Sequence, residues 1–296
     1  MATYHLNLKI FSRSTGSNAP SAAAYRAGER IRDERSGRIY DHSDRADVLH
    51  KEILLPSRFA GTQMDWAQDR AGLWNAAEAA EKRKNSRVAR EYTVGLPVEL
   101  NANQRLLLVR GFAQELSDLY RFAVDVVVHA PRDYPGSDPR NFHAHLLATT
   151  REVATEGLAA KTTLELNDSS RRQLGLGPAI NELIRVRERW ATVTNQALHD
   201  AHVSARIDHR TLKAQGIDRE PVQWSPRVSY DLERPDAQQS EAAHRREELR
   251  ESPRGEPDLE EMRRQAREKW LRARLESAEP DASSGRGPAR DDDLSR

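Results

Sequence analysis

The spacing of apolar and polar positions changes several times along this chain, and each change marks an element. In "TYHLNLKIF", Tyr4, Leu6, Leu8 and Ile10 alternate with His5, Asn7 and Lys9. Alternation puts the apolar set on one face, so a half-buried first strand is predicted. "SRSTGSNAP" breaks the period with small, turn-forming residues. The Ala-rich stretch after it predicts a helix that contains Tyr25, with Pro20 in the first turn, where no amide donor is needed. Residues 29–50 are charged and show neither period; they are read as irregular, with a short hairpin near Gly37. From Asp65 to Arg83, Trp66, Leu73, Trp74 and Ala77 fall on one side of a helix. "VAREYTVGLP" predicts a strand ended by Pro97, and the next helix is capped by Asn101 or Asn103. "RFAVDVVVHA" and "FHAHLLATT" predict strands on either side of the loop "PRDYPGSDPRN". Residues 168–201 predict two helices split by "GLGP".

Paired strands mixed with helices point to an α+β fold rather than a doubly wound parallel sheet. The two strands around the Pro-rich loop can lie antiparallel as neighbours. From Pro226 the composition changes: "RPDAQQSEAAHRREELRESPRGEPD" offers little apolar area to bury, which predicts disorder. Two regions follow, a folded body of 1–225 and a charged tail of 226–296. Within the tail, Leu259, Met262, Ala266, Trp270 and Ala273 give a helix over 258–278 one thin apolar stripe.

Composition narrows the chemistry. With 31% charged and 37% hydrophobic residues, part of the chain lies outside any core. There is no cysteine, which excludes disulfides, thiolate metal sites and a thiol nucleophile. Any metal must be held by histidine or carboxylate. The net charge of +1 is unevenly distributed. Residues 1–225 carry 32 Lys+Arg against 28 Asp+Glu, and residues 226–296 carry 15 against 18. A mildly basic body permits nucleic-acid binding without requiring it. No apolar run approaches the roughly 20 residues of a membrane span, and "MATYHLNLKIF" does not read as a secretory signal. A cytoplasmic protein without membrane insertion is expected.

On the strand "FHAHLLATT", His143 and His145 share a face. His129 ends the preceding strand. If the two strands pair across the loop, three imidazoles meet at one end of the sheet and can hold a divalent cation with an open position. By ligand hardness they suit Mn²⁺, Zn²⁺, Co²⁺ or Ni²⁺ better than Mg²⁺. The plainer reading puts His143 and His145 on a solvated strand surface. Tyr25 follows small residues that let a large partner approach closely. Ser12, Arg13 and Ser14 could donate to phosphate oxygens, and Arg26 could favour the phenolate of a tyrosine whose reference pKa is near ~10. Spacing alone equally describes an ordinary helix tyrosine. Glu91 could orient a ligand histidine or form a surface ion pair. Glu99 reads as a helix-start residue, and His5 as structural. Lys82, Arg83, Lys84, Arg87 and Arg90 form a basic cluster, a solvated face or a phosphate track. In "RIDHR", Arg206 and Arg210 could contact phosphate, while His209 reads as structural or DNA-contacting.

Four segments in series, "YHLNLKIFSRSTGSNAPSAAAYRAGE", "SRVAREYTVGLPVEL", "VVVHAPRDYPGSDPRNFHAHLLATTRE" and "ARIDHRTLKAQGID", resemble the motifs of the MobA/MobL-type plasmid mobilisation relaxases. These belong to the His–hydrophobic–His superfamily of tyrosine nicking endonucleases. The resemblance covers residues 2–220 and leaves out the tail. It implies a central antiparallel sheet flanked by helices, with a metal on its central strands. It also implies site- and strand-specific nicking of transfer-origin DNA. Tyr25 then maps onto the nucleophile, His129, His143 and His145 onto the metal ligands, and Glu91 onto a proton-handling or ligand-orienting residue. The implied ion is Mn²⁺ or Mg²⁺. The implied partners are single-stranded or melted origin DNA, accessory mobilisation proteins and a type IV secretion coupling protein, with passage of the protein into the recipient cell. Many relatives have Asn-Pro where this chain has Asn141-Phe142. Two other functions use the same scaffold: an origin-binding protein without catalysis, and a metal phosphodiesterase that uses water.

Overall fold

In the computed structural model, residues 2–131 and 138–218 are described. The predicted tail and its helix at 258–278 lie outside them. The body consists of β1 (Leu6–Ser12), α1 (Ala19–Ala27), β2 (Arg30–Arg32), β3 (Ile39–Asp41), β4 (Val48–Leu54), α2 (Asp65–Gln68), α3 (Arg70–Ala79), β5 (Arg87–Gly95), α4 (Ala102–Tyr120), β6 (Val124–His129), β7 (His143–Thr149), β8 (Arg151–Ala154), β9 (Gly157–Lys161), α5 (Asp168–Gln173) and α6 (Ala179–Asp200). The central sheet has the order β1-β5-β7-β6-β4, with every neighbouring pair antiparallel. The fold is α+β, as the pattern predicts. The described residues belong to one compact unit, Met1–Arg219.

The helix ends follow from local chemistry. Asn18 caps α1 by accepting from the Ser21 amide, and Pro20 sits in the first turn. Asn101 caps α4 in a reciprocal box with Gln104. The single helix expected over 65–83 is broken at Asp69, whose carboxylate accepts from Gly72 N and starts α3 anew.

Each strand of the sheet feeds two layers. Tyr92, Val94, Val124, Val126, Val128, Ala144, Leu146 and Ala148 pack against Phe112 and Leu116 of α4 and Trp190 and Leu198 of α6. The opposite face carries a smaller apolar cluster, with Phe11, Ala89 and Leu147 against Ala23 of α1 and Leu73 and Trp74 of α3. Two strand regions were not expected. The edge strand β4 begins in the stretch read as irregular and runs on beyond it, and the hairpin of β8 and β9 follows the last predicted strand. The hairpin near Gly37 is formed by β2 and β3.

Candidate active site

The antiparallel register builds the centre of the site. His129 of β6 lies opposite His143 of β7, and Val127 opposite His145. On the other side of β7, Gly95 and Thr93 of β5 face His143 and His145. The three rings stand 5.0–5.3 Å apart, centroid to centroid. One nitrogen from each lies within 4.8 Å of the others. Phe142 does not disturb this geometry. Its carbonyl accepts from Leu96 N at 2.8 Å, and its ring lies 3.7 Å from the Arg105 guanidinium carbon. A side chain at position 95 would come within 3.1 Å of the Cβ of His5, which explains a glycine beside His143.

Hydrogen-bond partners decide which ring nitrogens carry protons. His143 Nδ1 faces the carbonyl of Asn141 at 3.0 Å, and His145 Nδ1 faces the Glu91 carboxylate at 2.7 Å. Both partners accept, so Nδ1 donates in each. His129 is the reverse. Its Nε2 donates to the Arg26 carbonyl at 2.8 Å, and Nδ1 lies 3.3 Å from Arg45 Nη2, which can only donate. Burial, together with the neighbouring His145, lowers the pKa of His129 to about 3. It is therefore a neutral imidazole near pH 7, the form that binds metal. The three clustered imidazoles, one oriented by a carboxylate, are a donor set that suits a divalent cation; His129 would exchange its contact with Arg45 or with the Arg26 carbonyl to act as a ligand.

Glu91 is buried, at 2% exposure. Burial alone would push its carboxyl up. The Arg26 guanidinium and the hydrogen bond with His145 outweigh burial and hold it well below the usual carboxylate range. Arg26 Nη2 donates to Glu91 Oε2 at 2.8 Å, Arg26 Nε also donates to this carboxylate, and Nη1 donates to Ala22 O.

Tyr25 lies in the last turn of α1, half-buried. Small residues let this helix approach its neighbours: Ala22, Ala23, Ala24 and Ala27 are all buried. Its N-terminus is fixed by Glu78, which accepts from Ala19 N at 2.8 Å. Its C-terminus is fixed by the sheet. The carbonyl of Arg26, next in the chain to Tyr25, is the group that accepts from His129. Arg45 spans the remaining gap, with its guanidinium carbon 4.5 Å from the Tyr25 ring centroid and Nη2 at His129. The edge of the His42 ring meets Tyr25 at a centroid distance of 5.3 Å.

The expected phosphate contacts divide into two groups. In three of them the guanidinium is engaged with carboxylates of the fold. Arg26 is paired with Glu91. Arg13 donates to Glu78 and to the carbonyls of Glu78 and Glu81. Arg90 is paired with Glu165, with its side chain 9% exposed. Taking such groups from buried carboxylates would leave those charges uncompensated, a cost that any contact with phosphate would have to offset. Ser12 and Ser14 are near the surface and hydrogen-bonded to each other. Arg87 is 54% exposed, with a long 3.4 Å contact to Glu165. Arg206 is exposed and donates to nearby carbonyls, and Arg210 is exposed and paired with Asp208. Lys82 and Lys84 border an open groove of about 530 Å³ with Arg13, Ser17, Asn18 and Arg35. That groove adjoins the N-terminus of α1, and none of its lining residues belongs to the histidine cluster. Sequence reasoning missed His42, Arg45 and Asp47. A signal was present in "DHSDRAD", but without periodicity the stretch gave no face on which to place them.

Residues 17–234 match the family model described as MobA/MobL family. Mobilization protein MobL of Acidithiobacillus ferridurans is 37% identical over 263 residues, 82% of this chain and 67% of that protein. The 43 kDa relaxation protein of Salmonella typhimurium is 33% identical over 234 residues, 74% of this chain and 57% of the relative. The chain spans only 21% of the probable conjugal transfer protein TraA of Sinorhizobium fredii, at 29% identity over 238 residues. A solved structure described as "Molecular Basis of Vancomycin Resistance Transfer in Staphylococcus aureus" has 30% identity and a TM-score of 0.58. That match covers 71% of this chain and all of the other.

Proposed function

This chain belongs to the MobA/MobL family, and from that premise we propose that it is a relaxase that nicks transfer-origin DNA through Tyr25. One observation carries the reading: a single hydrogen bond, from His129 to the Arg26 carbonyl, ties the helix of the attacking tyrosine to the histidine cluster. A scaffold that only bound DNA would have no need to fix a tyrosine-bearing helix to three clustered imidazoles.

In this reading the phenolic oxygen of Tyr25 bonds to phosphorus as the P–O3′ bond breaks. The phenol gives up its proton and the 3′ oxygen takes one up. The products are a free 3′-hydroxyl and a 5′-phosphotyrosine, and the reverse attack rejoins the strand without ATP. His129, His143 and His145 would hold a divalent cation, which supplies charge neutralisation at the scissile phosphate. Mn²⁺ or Mg²⁺ is the ion proposed. Glu91 keeps His145 oriented through Nδ1, and Arg26 keeps Glu91 ionised. The exposed Arg87, Arg206 and Arg210, with Ser12 and Ser14, are proposed to meet the DNA backbone. The substrate strand is single-stranded or melted, because tyrosine and cation must flank one phosphate. Accessory mobilisation proteins and a secretion coupling protein complete the proposed set of partners, with cytoplasmic action and passage to the recipient. Among the described residues no helix is long and apolar enough to cross a membrane.

Covalent trapping tests the reading. With Mn²⁺ and a single-stranded candidate origin oligonucleotide, the wild type should form a protein–DNA adduct that mass analysis locates on Tyr25. Tyr25→Phe should form none while still binding the DNA. Adduct formation by Tyr25→Phe rejects the nucleophile. Cleavage without any adduct in the wild type favours water as the attacking group. Undiminished nicking by a His143→Ala/His145→Ala variant in chelator rejects the cation site.

A further inference from the structure

The last turn of α1 leaves three carbonyls without partners inside the helix, as any helix end does. Each is taken by a basic side chain from outside. Arg45 Nη1 donates to the Tyr25 carbonyl at 2.5 Å, His129 Nε2 to the Arg26 carbonyl at 2.8 Å, and Lys51 Nζ to the Ala27 carbonyl at 3.1 Å. Donors at this end also suit the negative pole of the helix dipole. Lys51 and His129 lie on strands of the central sheet. Arg45 comes from the connection between β3 and β4, and its side chain is only 10% exposed.

Arg45 does more than close the helix. Asp47 grips it at two points, Nε at 2.8 Å and Nη2 at 2.5 Å, which fixes the plane of the guanidinium. That plane lies against the Tyr25 ring, 4.5 Å from its centroid. The same Nη2 lies 3.3 Å from His129 Nδ1. Asp47 alone could neutralise this cation. The further contacts all go to the tyrosine and to one member of the histidine cluster.

We propose that Arg45 is a positioning residue for the attacking phenol. Held by Asp47, it clamps the last turn of α1 and covers the Tyr25 ring, and so fixes the direction of the phenolic oxygen relative to the three histidines. The proposal rests on Tyr25 being the nucleophile. Its effect should fall on the rate of transfer and leave DNA affinity largely alone, because misplacing a reacting atom by about 1 Å can cost on the order of 100-fold.

The test uses the full chain as wild type, Arg45→Met and Arg45→Lys. Adduct formation is timed at saturating single-stranded oligonucleotide with Mn²⁺, and binding is measured separately in chelator. Arg45→Met should slow adduct formation about 100-fold while changing the dissociation constant by less than about threefold. Arg45→Lys keeps the charge and loses the fork, so its rate should fall between the two. A second readout needs no DNA. With 3-fluorotyrosine at position 25, the ¹⁹F line should shift and average in Arg45→Met as the ring gains rotational freedom. A wild-type adduct rate in Arg45→Met, or an unchanged ¹⁹F line, overturns the proposal. So does an affinity loss as large as the rate loss, which marks a DNA contact. If Arg45→Met does not fold, Arg45→Lys carries the same measurements, with a slower rate at unchanged affinity as the supporting result. A wild type that forms no adduct removes the nucleophile reading instead, and the ¹⁹F comparison still reports whether Arg45 clamps the ring.

Discussion

Along β7, Ala144, Leu146 and Ala148 point to one face of the sheet, and His143, His145 and Leu147 to the other. On the first face the neighbours are apolar except for the buried Arg90–Glu165 pair beside Ala148, and α4 and α6 close over it. On the second, the apolar cluster reaches Leu147 and stops. One register step further on, Glu91, Arg26 and His129 are buried and His145 is half-buried. The first face is held by area removed from water, which many side chains supply in common. The second is held by charges that depend on each other one to one. Losing one residue should therefore have different consequences on the two faces.

The largest effect is expected when one residue is removed from each. Trp190 is fully buried and packs on Phe112 at 5.0 Å between ring centroids. Trp190→Ala should cost about 3–5 kcal/mol and leave metal affinity alone. Glu91→Gln leaves the buried Arg26 charge without its partner, at a similar cost of about 3–5 kcal/mol. It also removes the acceptor that orients His145, so metal affinity should fall by about 10–100-fold. Urea unfolding in chelator and Mn²⁺ titration separate the two readouts. Equal losses of metal affinity in both variants would erase the distinction between the faces.

The same contrast explains how much the sequence disclosed. The apolar face was legible because Val124, Val126 and Val128, or Leu6 and Leu8, repeat at strand spacing. The helix of Tyr25 was legible through Asn18, Pro20 and its alanines. The three histidines were legible as a pair on one strand and a third at the end of its neighbour. β4 was not, because it is an edge strand: His50, Lys51 and Glu52 are polar in succession and leave no clean alternation. Arg45 and Asp47 were hidden for a related reason. Their meaning lies in contacts with Tyr25 and His129, 20 and 84 positions away from Arg45. The arginines show the same limit. Arg87 and Arg90 look alike in sequence, and only the position of Glu165 separates an exposed guanidinium from a buried one.

A smaller effect is expected from pH, and it should come from the second face alone. His129 has a folded pKa lowered to about 3 by burial first and then by the charge of its neighbours. The unfolded chain takes up this proton near pH 6.5 and the folded protein does not. The stability from this group is therefore complete above about 6.5 and is lost progressively as pH falls toward 3, by at most about 1.4 kcal/mol per pH unit. Glu91, held below the usual carboxylate range, adds a loss of the same sign only below about 4.3, where the unfolded carboxyl protonates. Urea midpoints in chelator at pH 7.0, 6.0 and 5.0 should fall steadily, and His129→Gln should flatten the slope by about one proton. An unchanged slope in that variant would mean that the buried imidazole does not set the acid sensitivity.

The smallest effect separates two neighbours on β5. If Arg87 meets the DNA backbone, Arg87→Ala should reduce the slope of log affinity against log salt for single-stranded DNA by about 0.7 and barely change stability, since its ion pair is exposed and long. Arg90→Ala should do the opposite. Its guanidinium lies 2.7 Å from a Glu165 side chain that is 2% exposed, so removing it strands a buried carboxylate and lowers the urea midpoint, with no change in salt slope. Anisotropy titrations at several salt concentrations with both variants decide the matter. A salt slope that drops for Arg90→Ala and holds for Arg87→Ala would mean that the Glu165 pair opens on binding, so that the buried ionic groups of β5 serve the DNA instead of the fold.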